Sequence, residues 1–152
     1  MIDLTENEVQ RLMQQFRDIG CKVTFLEDTS FEIVPDTIAV QTHVFATTYF
    51  LQFTTFLGLH PKGIFGRLKM KRDAFLNEAN QFTNIMKLSC EEVDFDAAWK
   101  ISCSTRLATG ENSRTYNNEA IRHYLTLWLM DLSAVMRIEQ NFKVVAMIKN
   151  EK

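Results

Sequence analysis

The sequence predicts an α+β fold: an antiparallel β-sheet with an N-terminal helix, a middle helix and a long C-terminal helix packed on it. Three observations carry this. Apolar residues recur every three to four positions in three separate stretches, the helical period. Short runs rich in β-branched and aromatic residues lie between the first two, on short turns. Lys71 to Leu107 then reads as a helix leading directly into a β-hairpin, and the rest of the chain is arranged around it.

The first helix opens at Thr5-Glu6-Asn7-Glu8, a capping box in which Thr5 accepts from the amide three residues on and Glu8 reaches back. Val9, Leu12, Met13, Phe16 and Ile19 form its apolar stripe, and Gly20 sits where a helix commonly ends in a left-handed residue. Strands are expected at Cys21–Glu27, Phe31–Val34, Ile38–Val44 and Tyr49–Leu57. Asp28-Thr29-Ser30, Pro35-Asp36 and Ala46-Thr47 punctuate them. Short turns between successive strands imply an antiparallel meander with one face against helices.

Gly58 to Lys71 reads as a connector, broken by three glycines and a proline. Phe75, Ala79, Phe82 and Met86 then share one helical face, and the hairpin runs from Lys87 to Leu107. After a turn at Thr109–Ser113, Asn117 or Asn118 caps a long helix reaching about Asn141. Its stripe is Ile121, Tyr124, Leu125, Trp128, Leu129, Leu132, Val135 and Met136. Leu127 and Met130 fall outside it, so the apolar surface is wider than one packed face needs. Residues 143–148 read as a short strand or a continuation of that helix. No internal repeat or domain boundary is visible, and the chain reads as a single α+β domain over 1–152.

A net charge of −2 gives no global reason to expect nucleic acid. No run approaches the roughly 20 apolar residues that cross a bilayer, and no signal peptide is visible, so no membrane partner is expected. Cys21, Cys90 and Cys103 are odd in number and far apart, which is no disulfide framework; the expected compartment is a reducing cytoplasm.

Chemistry-bearing residues do not assemble into a constellation. His43, His60 and His123 are scattered, no spacing offers metal ligands, and no cofactor or metal is expected. Cys90 and Cys103 fall in adjacent strands, where small buried hydrophobes are the ordinary reading and a pairing with His43 the sharper one. Glu91, Glu92, Asp94 and Asp96 cluster at the hairpin tip, where solvated carboxylates do no acid–base work. The glycines of the connector match neither the Walker nor the dinucleotide pattern. One charge anomaly stands out. From Thr37 through Arg72 there is no Asp or Glu, while Lys62, Arg67, Lys69, Lys71 and Arg72 gather at its end. Such a run is a solvated loop or a site for an acidic partner.

Leu76-Asn77-Glu78-Ala79-Asn80 resembles the Leu-Asn-x-x-Asn that opens the middle helix of YbjN-like proteins, and the order of elements resembles the fold those proteins share with type III secretion chaperones. The resemblance implies a small, acidic, cytoplasmic homodimer that binds other proteins and has no catalytic centre. In the chaperones, segments of a client wrap round the dimer, adding strands to sheet edges and filling grooves. The YbjN-like proteins are tied to regulation of signalling or stress. The basic connector is a departure from the pattern. Asn77 and Asn80 lie on one helical side and either bond a neighbouring strand's free backbone or read a bound peptide.

The expected function is therefore a non-enzymatic protein-binding module, chaperone-like or regulatory, acting as a homodimer on a protein or peptide partner. Its interface is expected on Leu127, Trp128 and Met130 of the last helix or at a strand edge, with Lys69, Lys71 and Arg72 as further partner-binding residues. The alternatives are a small-molecule site or enzyme with a pocket between sheet and helices, and nucleic-acid binding through the basic connector 62–72, the least favoured.

Overall fold

A computed structural model of the chain describes residues 4–38, 40–47, 50–61, 67–93, 98–108 and 118–142. The elements are α1 (Glu6–Asp18), β1 (Cys21–Glu27), β2 (Ser30–Pro35), β3 (Thr42–Ala46), β4 (Phe50–Pro61), α2 (Arg67–Phe82), β5 (Lys87–Val93), β6 (Ala98–Ala108) and α3 (Asn118–Phe142). The strands form a six-stranded sheet in the order β1-β2-β3-β4-β6-β5. The pairs β1/β2, β2/β3, β3/β4 and β5/β6 are antiparallel. The expected α+β class, with its three helices in order, is what the chain adopts.

The chain divides into two compact units. Unit 1 takes residues 1–55 and 105–126, and unit 2 takes 56–104 and 127–152. Three elements, β4, β6 and α3, run through both.

In unit 1 the capping box forms as expected: Glu8 N donates to Thr5 Oγ1 at 3.2 Å and Thr5 N to Glu8 Oε1 at 2.7 Å. Val9, Leu12, Met13 and Phe16 turn inward. Phe16 meets Phe31 and Phe53 edge-on, with ring centroids 5.7 and 6.1 Å away, the arrangement that aromatic quadrupoles favour. Gly20 closes the helix at φ +100°, and its carbonyl accepts from Asp36 N at 3.2 Å. A side chain there would be strained at that φ and would press on Asp36 Oδ2 at 3.1 Å. The buried hydroxyls of Thr42 and Thr55 satisfy each other at 3.0 Å, and Thr55 donates onward to the Gln41 carbonyl. β3 starts four residues later than the sequence suggests, at Thr42: Asp36, Thr37 and Ile38 are bends after β2, and Val40 N donates to Ile38 O.

In unit 2 the expected connector is mostly regular structure. β4 continues through Gly58 to Pro61 and α2 already starts at Arg67, so only 62–66 separates them, outside the described residues. The buried stripe of α2 is Arg72, Phe75 and Ala79, at i, i+3 and i+7. Phe82, expected on the same face, is 63% exposed. The reason is that α2 ends at Phe82 itself and the chain turns away through Thr83-Asn84-Ile85. Phe75, Met86, Leu88, Ile101, Cys103, Trp128, Leu132 and Val135 are buried, and the Phe75 ring lies 6.0 Å from Phe142.

The turn after α2 is fixed by one side chain. Asp131 of α3, buried, accepts four hydrogen bonds. Asn84 N (2.8 Å) and Asn84 Nδ2 (3.0 Å) reach Oδ1, while Ile85 N (2.8 Å) and Met86 N (3.0 Å) reach Oδ2. Bonds to an ionised acceptor are roughly twice as strong as neutral ones, and this carboxylate collects donors that neither helix nor sheet can satisfy. Asp131→Ala strands those donors and should cost about 3 kcal/mol. That is a fall in Tm of roughly 10 °C for a chain this long, read by thermal denaturation. Gly20→Ala should cost about 1–2 kcal/mol by the same measurement, through its left-handed backbone.

Candidate functional site

The last helix divides the residues expected at an interface. Trp128 is wholly buried, with Asp131 three residues on and Val135 four beyond that, so this face belongs to the chain's own core. Met130 is 55% exposed, and Leu127 and Ala134 are half-buried. These three sit at i, i+3 and i+7 and make a short apolar strip on the outer side of the helix. Leu127 and Met130 are thus placed where a partner can reach them and Trp128 is not.

The basic residues divide as well. Lys71 is exposed on α2. Arg72 is buried, and its Nη2 and Nε approach Asp73 Oδ1 at 2.9 and 3.0 Å. Lys69 belongs to α2, but its side chain, like Lys62 and residues 94–97 of the hairpin tip, lies outside what is described. No acidic residue stands in the first turn of α2.

The sheet ends are β1 and β5. On β5, Asn80 of α2 reaches the strand's backbone: its Nδ2 donates to Leu88 O at 3.1 Å and its Oδ1 accepts from Leu88 N at 2.8 Å. The amide imitates one residue of a neighbouring strand, which is the structural reading of the Asn77/Asn80 pair, carried by Asn80. A client strand pairing at Leu88 would have to displace it. On β1, Phe25 and Leu26 are exposed, and the register with β2 shifts between Phe25 and Glu27. Such a bulge blunts an edge against simple strand addition. Also in unit 1, a cavity of about 700 Å³ opens between the start of α1, the β1–β2 turn and β3.

Of the groups weighed for catalysis, His43 is half-buried on β3, cross-strand from Glu32 and Thr54. His60 is in β4, with its side chain outside the description. Burial pushes the Cys103 thiol up to about 12, and burial with the nearby Asp36 charge pushes Cys21 up to about 11. Protonated thiols are neither nucleophiles nor metal ligands at neutral pH. Among the described residues no three His, Cys, Asp or Glu side chains converge as a metal site, and no helix is long and apolar enough to cross a membrane.

Two features escaped the sequence reading. Asp131 had a signal, a carboxylate on the apolar face of a helix between Trp128 and Val135. The cavity had none, since its walls come from three separated segments.

Both raised thiols fix a pH dependence. The unfolded chain loses these protons near the ordinary value of 9 and the folded chain only near 11 and 12. The stabilisation is complete below about pH 9 and is lost as pH climbs towards 12. Denaturant midpoints should therefore fall between pH 9 and 11, and less so in Cys103→Ala. At pH 8, Cys21 and Cys103 should resist a disulfide reagent until urea unfolds the chain.

No family profile matches the chain, and no curated protein does. Among solved structures, the chain is similar to a crystal structure of YbjN from E. coli, described as a candidate transcription regulator. The two share 14% sequence identity and a TM-score of 0.67 over 90% of this chain and 94% of that one. At that identity the likeness speaks for architecture, and the architecture is the YbjN-like fold.

Proposed function

We propose that the chain is a non-enzymatic protein-binding module of the regulatory or chaperone kind, and that it pairs with a second copy through the outer face of α3. The observation that carries this is the Leu127–Met130–Ala134 strip. It lies on a helix whose opposite face is already filled by Trp128, Leu132 and Val135. An exposed methionine flanked by half-buried apolar residues is the kind of surface that a partner covers. Met70 on α2 is also largely exposed. The fold shared with YbjN, a candidate regulator, supports the same reading.

Lys71, and Lys69 on the same helix, would then help to select an acidic partner surface. Arg72 is buried on the inner side of α2 and paired with its neighbour Asp73, so it is withdrawn from the exposed basic surface. With that cation withdrawn, the basic stretch is thinner than nucleic-acid binding asks for. Asn80 on the β5 edge speaks for partners held by side chains rather than by strand addition at that edge.

Light scattering at tens of micromolar should give twice the chain mass for the wild type and the single-chain mass for Met130→Asp, with the Tm of the variant within about 2 °C, since an exposed residue contributes little to folding. A wild type of single-chain mass across that range would remove the homodimer.

A further inference from the structure

The cavity in unit 1 lies on other residues than the α3 strip, and its chemistry is one-sided. Its volume, about 700 Å³, falls within the roughly 300–1,000 Å³ of ligand-sized sites, room for a long side chain and an apolar neighbour. Leu4, Val9, Phe25 and Phe45 supply apolar wall, and Glu6 and Asp28 supply carboxylates. Among the described residues, no Lys, Arg or His lines it.

The N-terminus of α1 opens on the same wall and brings roughly half a positive charge. Its capping box is already closed on itself through Thr5 and Glu8. Two full negative charges outweigh that half charge, so the cavity favours a cation over an anion. Unit 1 already uses such a contact elsewhere: the Arg106 guanidinium stands 4.2 Å over the Phe50 ring, and Phe50 lies 5.9 Å from Phe45. The cavity also opens on an edge strand. Phe25 and Leu26 of β1 are exposed beside the Asp28 turn, giving an extended chain an apolar surface to lie along.

We infer that this cavity receives a lysine or arginine side chain, with an adjoining apolar residue, from a peptide segment of a partner protein. The inference rests on the reading of the chain as a protein-binding module but not on the α3 interface.

The test is amide NMR of the full 15N-labelled chain, titrated with acetyl-Leu-Lys-Leu-amide, with acetyl-Leu-Glu-Leu-amide and with n-pentylammonium. The lysine peptide should shift the Gln10, Phe25 and Thr29 amides. Glu6→Gln with Asp28→Asn should weaken it about five-fold, as two exposed carboxylates allow, and the glutamate peptide should bind no better to wild type than to that variant. Both substitutions spare the fold. Glu6 is outside the capping box, and Asp28 sits at φ +51°, which asparagine also adopts. Equal binding of the two peptides, an unaffected variant, or shifts away from these residues would overturn the inference. Pentylammonium binding as tightly as the lysine peptide would overturn the assignment to a peptide. A wild-type dimer broken by Met130→Asp, with no peptide shifts, would sink this inference alone. Peptide shifts in a chain of single mass would leave it standing and remove only the α3 dimer.

Discussion

The order in unit 2 depends on one buried carboxylate. When α2 ends at Phe82, the chain must turn into β5 with no helical or sheet partner for the amides of residues 84–86. A buried amide without an acceptor costs about 1–3 kcal/mol, a large share of the stability of any domain. Asp131 meets all three amides and the Asn84 side chain with its two oxygens. The arrangement works only while α3 is rotated so that Asp131 faces this turn. Three residues back, that rotation buries Trp128; four on, it buries Val135.

The same rotation has a consequence at the surface. Met130 is the neighbour of Asp131 in sequence and stands about 100° away round the helix, so the polar anchor that pulls one side in turns the other side out. The strip proposed as an interface is therefore the complement of the core stripe. At the far end of the turn, Asn80 bonds both backbone groups of Leu88, so the start of β5 is tied to α2 by a second polar clamp. Two side chains, Asp131 and Asn80, place the element between them. The burial of apolar residues supplies the driving force there, and the polar clamps supply the register.

The architecture was legible because it rests on periodicity and local chemistry. Thr5, Glu8 and Gly20 mark the ends of α1 through interactions within a few residues, and alternation marks β1 with the observed boundaries. Where the reading slipped, a distant contact decided the outcome. Phe82 has the spacing of a core residue, but the turn held by Asp131, some fifty positions away in sequence, ends the helix there and leaves its ring outside. Periodicity already set Trp128 in the stripe of the last helix and Met130 outside it; the filled core around α3 shows that Trp128 has no surface left for an interface, while Met130 has. Arg72 reads as one more cation in a basic run, yet it is buried beside Phe75 and Ala79 on the inner stripe. Asn80 was legible as a choice between two roles, and its partner Leu88 decides for the structural one.

Asp131 holds residues 84–86 in the native state. Hydrogen exchange of the amides of Asn84, Ile85 and Met86 tests it most directly, because these amides lie outside every helix and strand and Asp131 is their acceptor among the described residues. Their protection factors should lie close to that of the neighbouring β5 amide of Leu88 and collapse in Asp131→Ala, while core amides of α1 keep theirs. Exchange of these three amides at unstructured-peptide rates in the wild type would contradict it.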